Sequence, residues 1–401
     1  MATCNRSRAL PANLTVMTPP EPASSRSEEP ESESKPLPID SKAVSEHLIR
    51  WFSDAARDLP WRRDRSGYHG LVSEAMLQQT QVDRVVPAYL RFLERFPSIE
   101  ALANAPEEDV MASWQGLGYY RRARNLQAAA VRVLEDFGGE VPRTARDLKT
   151  LPGVGRYTAG AVASIVFGER AAIVDGNVSR VLARLGAYRG RPGEKRFDAW
   201  AWEQAGLIAE VASDPGVANE AIMELGALVC TRHAPECTHC PLKAECAGLA
   251  EGDPASIPAP RQVGPRKRIH LHVVLVIRED EVLLHRRPDR GLWAGMWEPP
   301  TVEADRLLTP EEVVARLNTI DGVIRQVETF EHRTTHRDVV FHVHHADAGG
   351  PEAGREHRWQ PLDRLDAIGL SNPHRRLIDG YRAAGCPNEE PEPRSGGRRS
   401  R

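Results

Sequence analysis

The sequence predicts a multidomain protein in which an all-α domain precedes a small α+β domain. The chain has 401 residues, more than the roughly 250–300 residues that one hydrophobic core usually serves. Apolar residues recur at helical spacing from residue 41 to about residue 226, within a predicted domain of residues 41–253, whereas short β-like runs follow in residues 269–386. Residues 254–268 are rich in proline and basic residues, so we interpret them as a linker.

The composition is that of a soluble globular protein, with 41% hydrophobic and 27% charged residues. No apolar run approaches the roughly 18 residues of a membrane helix. The N-terminus also lacks the apolar stretch of a signal peptide, so we expect neither a membrane partner nor secretion. The formal net charge of −3 leaves open a nucleic-acid binder whose basic residues cluster locally.

Both ends of the chain are predicted to be disordered. Residues 1–40 are rich in proline, serine and glutamate, and such a segment cannot bury enough apolar surface to offset its ordering entropy. An organelle transit peptide is the alternative, although the acidic run argues against it. Residues 387–401 form a second, basic tail.

Two apolar stripes illustrate the helical pattern of the first domain. Val44, Leu48 and Phe52 share one helical face, and a second stripe runs through residues 85–93. Proline and glycine punctuate the region at intervals, and strand-like alternation is nearly absent. We therefore predict a series of helices joined by short turns.

The segment Leu151–Gly155 (LPGVG) lies between a short predicted helix, residues 146–149, and a longer one, residues 157–167. Gly153 and Gly155 permit a positive φ and a close approach of the backbone to an anion. The turn N–H groups and the following helix N-terminus make a phosphate site. We predict a helix–hairpin–helix over residues 146–167 that contacts DNA without reading sequence; an ordinary turn between helices is the alternative.

Basic residues also cluster in the helical region. Such clusters either contact phosphates or form solvated helix faces, and the pattern does not separate the two. The clusters are Arg121, Arg122 and Arg124, and then Arg180 and Arg184.

Four cysteines, Cys230, Cys237, Cys240 and Cys246, fall within 17 residues. In a chain without a signal peptide, this density favours a metal site in a reducing compartment. Zinc accepts four thiolates, but its sites usually have two short knuckles. The 6-2-5 spacing better suits a 4Fe-4S cluster wrapped by one loop (residues 230–246), with zinc and free thiols as the alternatives.

Asp175 stands beyond the hairpin, directly after the apolar residues Ile173 and Val174. These neighbours predict a partly buried carboxylate beside the DNA-binding turn. Aspartate is also a good helix N-cap, so capping is the alternative role.

The C-terminal region predicts strands near residues 270–277, 282–287, 323–332 and 339–345, and helices at 310–317 and 374–384. Its Gly291–Pro300 segment is similar to the entry of a Nudix hydrolase motif. The Arg-Glu-x-x-Glu-Glu helix that would hold Mg²⁺ does not follow, so we predict a Nudix-like domain without hydrolase activity. His342, His344 and His345 suggest either zinc or, as we favour, a half-exposed strand.

The hairpin, Asp175 and the cysteine loop together resemble the endonuclease III-like superfamily of DNA glycosylases. Four segments narrow the resemblance to the adenine DNA glycosylase (MutY) family, and the match runs from about residue 43 to residue 384. The segments are Val72–Thr80 (VSEAMLQQT), Gly116–Tyr120 (GLGYY), Val174–Val178 (VDGNV) and Asn219–Cys230.

The resemblance implies hydrolysis of the N-glycosidic bond of adenine mispaired with 8-oxoguanine or guanine in duplex DNA. This reaction needs a protonated leaving group and a stabilised cationic sugar, and hence two carboxyl groups in opposite protonation states. By resemblance, Glu74 protonates adenine N7, Asp175 stabilises the sugar, and Asn177 orients Asp175 or the attacking water. The apolar neighbours of Glu74 predict a raised pKa; a solvated helix-face glutamate is the alternative.

Tyr157 occupies the position at which relatives with lyase activity carry a Schiff-base lysine. A phenol cannot form that adduct, so the sequence predicts a monofunctional glycosylase. In the family this position supports the catalytic acid through a hydrogen bond. Packing against the hairpin is the alternative role.

Further residues match family positions that surround the extruded adenine or fill the gap it leaves. Trp61, Arg62 and Glu220 match the adenine pocket, with Glu220 accepting the exocyclic amine. Gln79 matches the glutamine inserted into the duplex, and Tyr119 the aromatic wedge beside 8-oxoguanine. Leu117 and Thr80 match contacts to that base.

The loop that recognises 8-oxoguanine in the family contains Phe-Ser-His, and the corresponding residues here are Thr334, Thr335 and His336. His336 is retained and Thr335 keeps a hydroxyl, whereas Thr334 replaces the aromatic ring. The resemblance therefore implies a contact from His336, with discrimination that is weaker or achieved differently.

The resemblance implies duplex DNA as the partner of a monomeric enzyme, and cytoplasm in contact with a bacterial chromosome as its location; an organelle or a nucleus is the alternative. A glycosylase/lyase for damaged pyrimidines, a nucleotide-pool Nudix hydrolase and a non-catalytic DNA-binding protein are the competing functions. Tyr157, the missing Nudix helix and the pair of carboxylates, respectively, argue against them.

Overall fold

The computed structural model describes residues 36–261, 264–318, 320, 322–346, 351, 354 and 356–383. Most of the predicted N-terminal tail and all of the C-terminal tail lie outside these residues. Residues 36–40 are described and lie against the helical domain. The Leu37 N–H donates to the carbonyl oxygen of Gly186 at 2.8 Å, and Asp40 caps the first helix by accepting from the Ala43 N–H at 3.0 Å.

The first domain is helical, as predicted, and no strand lies among its described residues. Its helices end at Ala250 and are joined mostly by short turns. They are α1 (Ser41–Ala55), α2 (Pro60–Arg63), α3 (Gly67–Leu77), α4 (Val82–Arg95), α5 (Ile99–Ala103), α6 (Glu107–Ser113), α7 (Arg121–Phe137), α8 (Ala145–Leu148), α9 (Arg156–Phe167), α10 (Gly176–Leu185), α11 (Lys195–Val211), α12 (Pro215–Leu228) and α13 (Ala247–Ala250).

Two hydrophobic cores hold these helices together. One contains Trp114 and Phe92 beneath α3, α4 and α7, and the other contains Leu48 and Phe197 among α1, α10, α11 and α12. Helix α9 supplies side chains to both cores. Burying one large apolar side chain is worth about 1.5–3 kcal/mol, so the shared helix holds the two halves of the domain together. A cleft remains between α3, α9 and α12.

The helical domain extends into the segment that we interpreted as a linker. Ile257 is 1% exposed and belongs to the second core, and its carbonyl oxygen accepts from Arg184 Nε at 3.0 Å. The first strand of the next domain then begins at Lys267. No helix among the described residues is long and apolar enough to cross a membrane.

The second domain consists of two small mixed or antiparallel sheets and two helices. One sheet has the order β5-β1-β7-β6, with β1 and β7 parallel, and in the other β3 pairs with β2, β4 and β8. The predicted strands and helices are present, while the sequence reading missed the short β2, β4, β5 and β8. The elements are β1 (Lys267–Leu275), β2 (Ile277–Arg278), β3 (Glu281–Arg286), β4 (Trp297–Glu298), β5 (Thr301–Ala304), α14 (Pro310–Leu317), β6 (Ile324–Arg333), β7 (Arg337–Ala346), β8 (His357–Pro361) and α15 (Asn372–Ala383).

The two domains contact each other directly. The Tyr120 hydroxyl donates to the Leu370 carbonyl oxygen at 2.9 Å, and Arg124 Nη1 donates to the Ala294 carbonyl oxygen at 2.9 Å. These contacts place the Nudix-like domain beside the loop that precedes α7.

His342 and His344 of β7 are buried and His345 has intermediate exposure, so the prediction of a half-exposed strand is wrong for the first two. They stack against histidines of β1 in neighbouring register: His270 Nδ1 lies 2.9 Å from His342 Nε2, and His272 Nδ1 lies 3.3 Å from His344 Nε2. His272 and His344 are fully buried. His272 Nε2 accepts the Leu308 N–H at 3.1 Å, which requires an unprotonated nitrogen.

We expect this histidine stack to make the C-terminal domain sensitive to acid. Burial, with neighbouring imidazoles, lowers the pKa of His272 and of His344 to about 4, from about 6.5 in unfolded chains. The unfolded chain therefore binds more protons, and the free energy of unfolding falls as pH drops from about 6.5 to 4, by on the order of 3 kcal/mol for each histidine. Thermal unfolding against pH measures this, and His344→Leu should flatten the dependence; an unchanged slope in that variant would contradict it.

Candidate active site

The predicted catalytic residues meet in one cavity of about 220 Å³ at the cleft between α3, α9 and α12. Glu74 enters from α3, Tyr157 from α9, and Asp175 from the N-terminus of α10. The same cavity is lined by Asn177 and by the predicted adenine-pocket residues Trp61, Arg62 and Glu220. Residues that are distant in the sequence therefore share one small space.

Glu74 is a buried carboxyl group on the inner face of α3. It is 8% exposed, and its helix neighbours Val72 and Met76 are fully buried. Its pKa is raised to about 7: burial is the largest cause, a hydrogen bond with Tyr157 opposes the rise, and the nearby carboxylates of Asp175 and Glu220 add to it. The solvated helix-face alternative is thus excluded, and Glu74 can hold a proton near neutral pH.

Asp175 both caps a helix and faces the cavity, so the two roles considered for it coexist. It is the N-cap of α10, and its Oδ1 accepts the Val178 N–H at 2.7 Å. Its pKa is raised above the usual value, because burial outweighs the opposing hydrogen bonds from the backbone N–H groups at Val178 and Asn177. Those N–H groups and the helix N-terminus favour the ionised form, in contrast to the environment of Glu74.

Asn177 is held against α12 by close packing. Its Oδ1 accepts from Arg180 Nη2 at 2.8 Å. A Cβ atom on Gly226 would lie 2.7 Å from the Asn177 Cβ, so only glycine fits at that point of α12. This contact fixes the first turn of α10, which carries Asp175, relative to α12.

Tyr157 projects between the two carboxyl groups and carries no amine. Its hydroxyl lies 3.1 Å from the Met223 sulfur and within hydrogen-bonding reach of Glu74, and burial raises its pKa well above the usual value. The phenol thus stays protonated and serves as a donor. Met223 was not predicted to be a site residue, since a methionine on a buried helix usually fills a core.

Two residues predicted to line the adenine pocket, Arg62 and Glu220, belong to an ionic network whose other members were not predicted from the sequence. Glu220 accepts from Arg62 Nε at 2.9 Å and pairs with Arg65 Nη2 at 2.7 Å. Glu224, one turn along α12, accepts from Arg57 Nε at 2.8 Å and Nη2 at 2.7 Å.

The strength of this network is reflected in Glu224. Burial raises its pKa, but hydrogen bonds from Arg57 and Arg62 outweigh burial and lower the pKa to about 2. Arg57 and Glu224 are 167 residues apart in the chain. No local pattern marks such a pair, which explains why the sequence reading missed Arg57, Arg65 and Glu224.

The hairpin turn has the predicted helices, but its two glycines differ. Gly153 has φ +74°, and a Cβ atom there would lie 2.5 Å from the Asn125 Cβ. Gly155 is the N-cap of α9 with φ −82°, so the expected positive φ holds only for Gly153. The position of a Cβ on Gly155 faces open space, which leaves that backbone accessible to a phosphate.

Gln79 and Tyr119 stand at the tips of two adjacent loops in left-handed conformations. Their φ values are +56° and +48°, which are uncommon for residues with a Cβ atom and store roughly 1–3 kcal/mol of strain each. Tyr119 is 49% exposed, and Gln79 is exposed as well. Strain of this kind concentrates at ligand-contacting sites, and both residues are available to a DNA duplex.

Leu117 and Thr80 are less accessible. The Leu117 side chain is 7% exposed within the first core, so it does not face an incoming base in this conformation. The Thr80 hydroxyl accepts from Arg122 Nη2 at 3.1 Å and Thr80 lines the catalytic cavity.

The predicted recognition loop lies at the tip of the β6–β7 hairpin, next to Tyr119. His336 is exposed there, and Thr334 forms the turn by accepting the Arg337 N–H at 3.0 Å. The Thr335 hydroxyl hydrogen-bonds the Tyr119 hydroxyl from the other domain. The structure thus brings together two predicted contact regions that lie more than 200 residues apart.

Not every arginine of the two basic clusters is placed to contact a phosphate or to lie on a solvated helix face. Arg122 and Arg184 are buried, at 9% and 2% exposure. Arg184 Nη1 donates to the Thr231 carbonyl oxygen at 2.7 Å and lies 3.2 Å from the Cys230 sulfur. Arg180 Nε donates to the Cys230 carbonyl oxygen at 2.9 Å. Arg180 and Arg184 therefore anchor the cysteine loop to α10.

The four cysteines are free thiols of intermediate exposure in that loop. The pKa of Cys240 is raised to about 11. Burial is the main cause, and the nearby Cys230 thiol also contributes. Among the described residues, no three Cys, His, Asp or Glu side chains converge to hold a single ion. A cube of four irons takes one thiolate per iron, and the four cysteines of this loop, beside the Arg184 cation, supply that donor set.

Comparison with known proteins finds matches to two protein families. Residues 72–205 match the HhH-GPD superfamily of base excision DNA repair proteins, and residues 272–380 match the NUDIX domain. The chain is 38% identical over 315 residues to the adenine DNA glycosylase of Rattus norvegicus, covering 66% of this chain and 61% of that relative. It therefore spans about three fifths of that relative's length.

A shorter relative is matched over nearly its whole length. The adenine DNA glycosylase of Buchnera aphidicola subsp. Schizaphis graminum is 30% identical over 351 residues, which cover 84% of this chain and 98% of the relative. A solved thermostable thymine-DNA glycosylase is 28% identical, with a TM-score of 0.48, over 53% of this chain and 97% of that chain. On the strength of the full-length match, and with both carboxyl groups in one cavity, this chain belongs to the adenine DNA glycosylase family.

Proposed function

We propose that the protein is a monofunctional adenine DNA glycosylase acting on adenine opposite 8-oxoguanine or guanine in duplex DNA. One observation carries the proposal: Glu74 and Asp175 share a cavity, in which Glu74 is a buried acid and Asp175 accepts a backbone N–H at the N-terminus of a helix. A buried acid with a pKa of about 7 beside a carboxylate capped by N–H groups is the pair that glycosidic hydrolysis requires.

In this mechanism the extruded adenine enters the cavity, and Glu74 donates its proton to N7. The C–N bond then breaks, its electron pair leaves with the protonated base, and the sugar becomes cationic. The ionised Asp175 stabilises that cation, and water adds to the sugar carbon while its proton passes to a carboxylate. Tyr157 holds Glu74 by a hydrogen bond and forms no covalent adduct.

The Nudix-like domain serves recognition in this proposal rather than hydrolysis. One of the two acidic residues that open α14 is used locally: Glu312 completes a capping box with Thr309 and pairs with Arg306 at 2.6 Å. Meanwhile the Thr335 contact with Tyr119 puts the β6–β7 hairpin, with His336, next to the proposed wedge. Both features support a role in reading the base opposite adenine.

Single-turnover assays test the proposal against its rivals. Duplexes containing adenine opposite 8-oxoguanine, adenine opposite guanine, or thymine glycol are incubated with excess enzyme, with and without alkali. Strand breaks at adenine that require alkali support a monofunctional adenine glycosylase. Cleavage at thymine glycol, borohydride trapping of the unmodified protein, or hydrolysis of 8-oxo-dGTP would instead support a competing function.

We also propose that the cysteine loop holds a 4Fe-4S cluster through Cys230, Cys237, Cys240 and Cys246. When bound, such a cluster clamps the loop through four Fe–S bonds, and Arg184 offsets the thiolate charge. No step of base excision passes through it.

We further propose a monomer acting on chromosomal DNA in the cytoplasm of a bacterium.

Protein purified without oxygen is expected to be brown and to contain about four irons per chain. Cys240→Ser should lower the iron content and the visible absorbance, because a cluster ligand is lost. Cys386→Ser is the matched control and should leave both unchanged. Stoichiometric zinc without visible absorbance would contradict the cluster.

A further inference from the structure

Arg122 occupies a position that its sequence context does not reveal. Its guanidinium is 9% exposed, and Nη1 donates to the carbonyl oxygens of Ala75, Met76 and Gln78 at 2.8, 2.8 and 2.7 Å. These groups belong to the C-terminal end of α3, where helical carbonyls lack intrahelical partners. A cation at this end satisfies them and also complements the helix dipole.

The other half of the guanidinium faces the loop before α7. Nη2 donates to the carbonyl oxygens of Leu117 and Gly118 at 3.1 and 2.9 Å, and to the Thr80 hydroxyl at 3.1 Å. The guanidinium carbon lies 5.7 Å from the centre of the Tyr119 ring. One side chain therefore makes hydrogen bonds to both loops that reach toward DNA.

Two of the carbonyl oxygens that accept from Arg122 belong to the peptides directly before Gln79 and Tyr119. The Gln78 carbonyl belongs to the peptide that leads into Gln79, and the Gly118 carbonyl belongs to the peptide that leads into Tyr119. Both following residues have left-handed backbones. A single guanidinium thus fixes the two peptides whose orientation decides where the Gln79 and Tyr119 side chains point.

We infer that Arg122 is a positioning residue that locks the Gln79 and Tyr119 loops together, so that both enter the duplex as one unit. This inference rests on the proposed function. Arg122 touches neither the adenine cavity nor the reacting atoms, and it acts through the two loops. Lysine cannot replace it, because a single ammonium group lacks the planar fork that directs two nitrogens to opposite sides.

Hydrogen–deuterium exchange tests the coupling without relying on activity. Arg122→Lys should accelerate amide exchange in residues 75–80 and in residues 116–120 together, while Arg132→Lys, an exposed site on the same helix, should change neither. Faster exchange in only one segment, or in neither, overturns the inference. Loss of protection throughout the protein also overturns it, since Arg122 would then act as a general fold determinant.

Kinetics test whether the coupling serves excision. At saturating enzyme, Arg122→Lys should slow single-turnover excision of adenine opposite 8-oxoguanine by roughly 10- to 100-fold, because small misplacements cost that much. In a Gln79→Ala/Tyr119→Ala background the same change should cost less than about 3-fold, since coupled residues are non-additive. Equal losses in both backgrounds, or no loss in the wild-type background, overturn the inference. If the unmodified protein excises no adenine, the proposed function fails, while the exchange experiment still decides the coupling.

Discussion

Replacing Glu74 by glutamine is expected to abolish adenine excision while leaving duplex binding intact. Glutamine keeps the shape and burial of the side chain but removes the proton that the leaving adenine needs. In the unmodified protein, the excision rate should fall as pH rises through about 7, since the pKa of Glu74 is raised to about 7 by burial. Single-turnover rates between pH 5 and 9 and gel-shift affinities measure both effects.

The same substitution should stabilise the folded protein above neutral pH. The pKa of Glu74 rises from 4.5 to about 7 on folding, so the folded state retains a proton that the unfolded chain releases. Its contribution to stability is therefore full below pH 4.5 and is lost as pH rises through 7, by about 3 kcal/mol at most.

Glu74→Gln removes this ionisation, so its melting temperature should exceed that of the unmodified protein at pH 8 and match it near pH 4. Glu135→Gln, at an exposed site on α7, is the matched control and should alter neither property. A normal excision rate in Glu74→Gln, or unchanged stability at pH 8, would reject the assignment of Glu74 as a buried acid.

Replacing Asp175 by asparagine is expected to slow excision by about 10²–10⁴-fold with little change in stability. The negative charge that stabilises the cationic sugar is lost. The helix cap is retained, because asparagine and aspartate cap helices about equally well. Asparagine at position 175 can thus still accept the Val178 N–H that Asp175 Oδ1 accepts at 2.7 Å.

A second N-cap aspartate provides the control for this experiment. Asp214 caps α12 by accepting the Val217 N–H at 2.9 Å and does not line the catalytic cavity. Asp214→Asn should therefore keep both the rate and the melting temperature. If Asp175→Asn retains a near-normal rate, or loses activity only in proportion to lost stability, Asp175 acts as a cap and not in catalysis.

The sequence was sufficient for features that depend on neighbouring residues. Helix α14 spans the predicted residues, because Thr309, Pro310 and Glu312 form a local start signal. The LPGVG turn likewise lies between the predicted helices, since its glycine and proline restrict the chain locally. Short motifs also sufficed to place Glu74 and Asp175 among the candidates for catalysis.

Features that depend on long-range packing could not be predicted from neighbouring residues. Arg122 and Arg184 look like ordinary surface charges in the sequence, because burial depends on which carbonyl oxygens lie around a guanidinium after folding. His344 follows an alternating strand pattern, yet the parallel strand β1 brings His272 Nδ1 to 3.3 Å from His344 Nε2. The partnership of Arg57 with Glu224 similarly arises only when α12 packs beside the chain after α1.

The catalytic pair illustrates the division between the two kinds of information. The motifs around Glu74 and Asp175 resemble those of the adenine DNA glycosylase family, and this resemblance predicted a shared task for the two carboxyl groups. The proposed difference between their protonation states depends on solvent exclusion around α3 and on the N–H groups at the start of α10. Both are properties of the packed cleft, because desolvation and dipole orientation arise only when distant segments exclude water together.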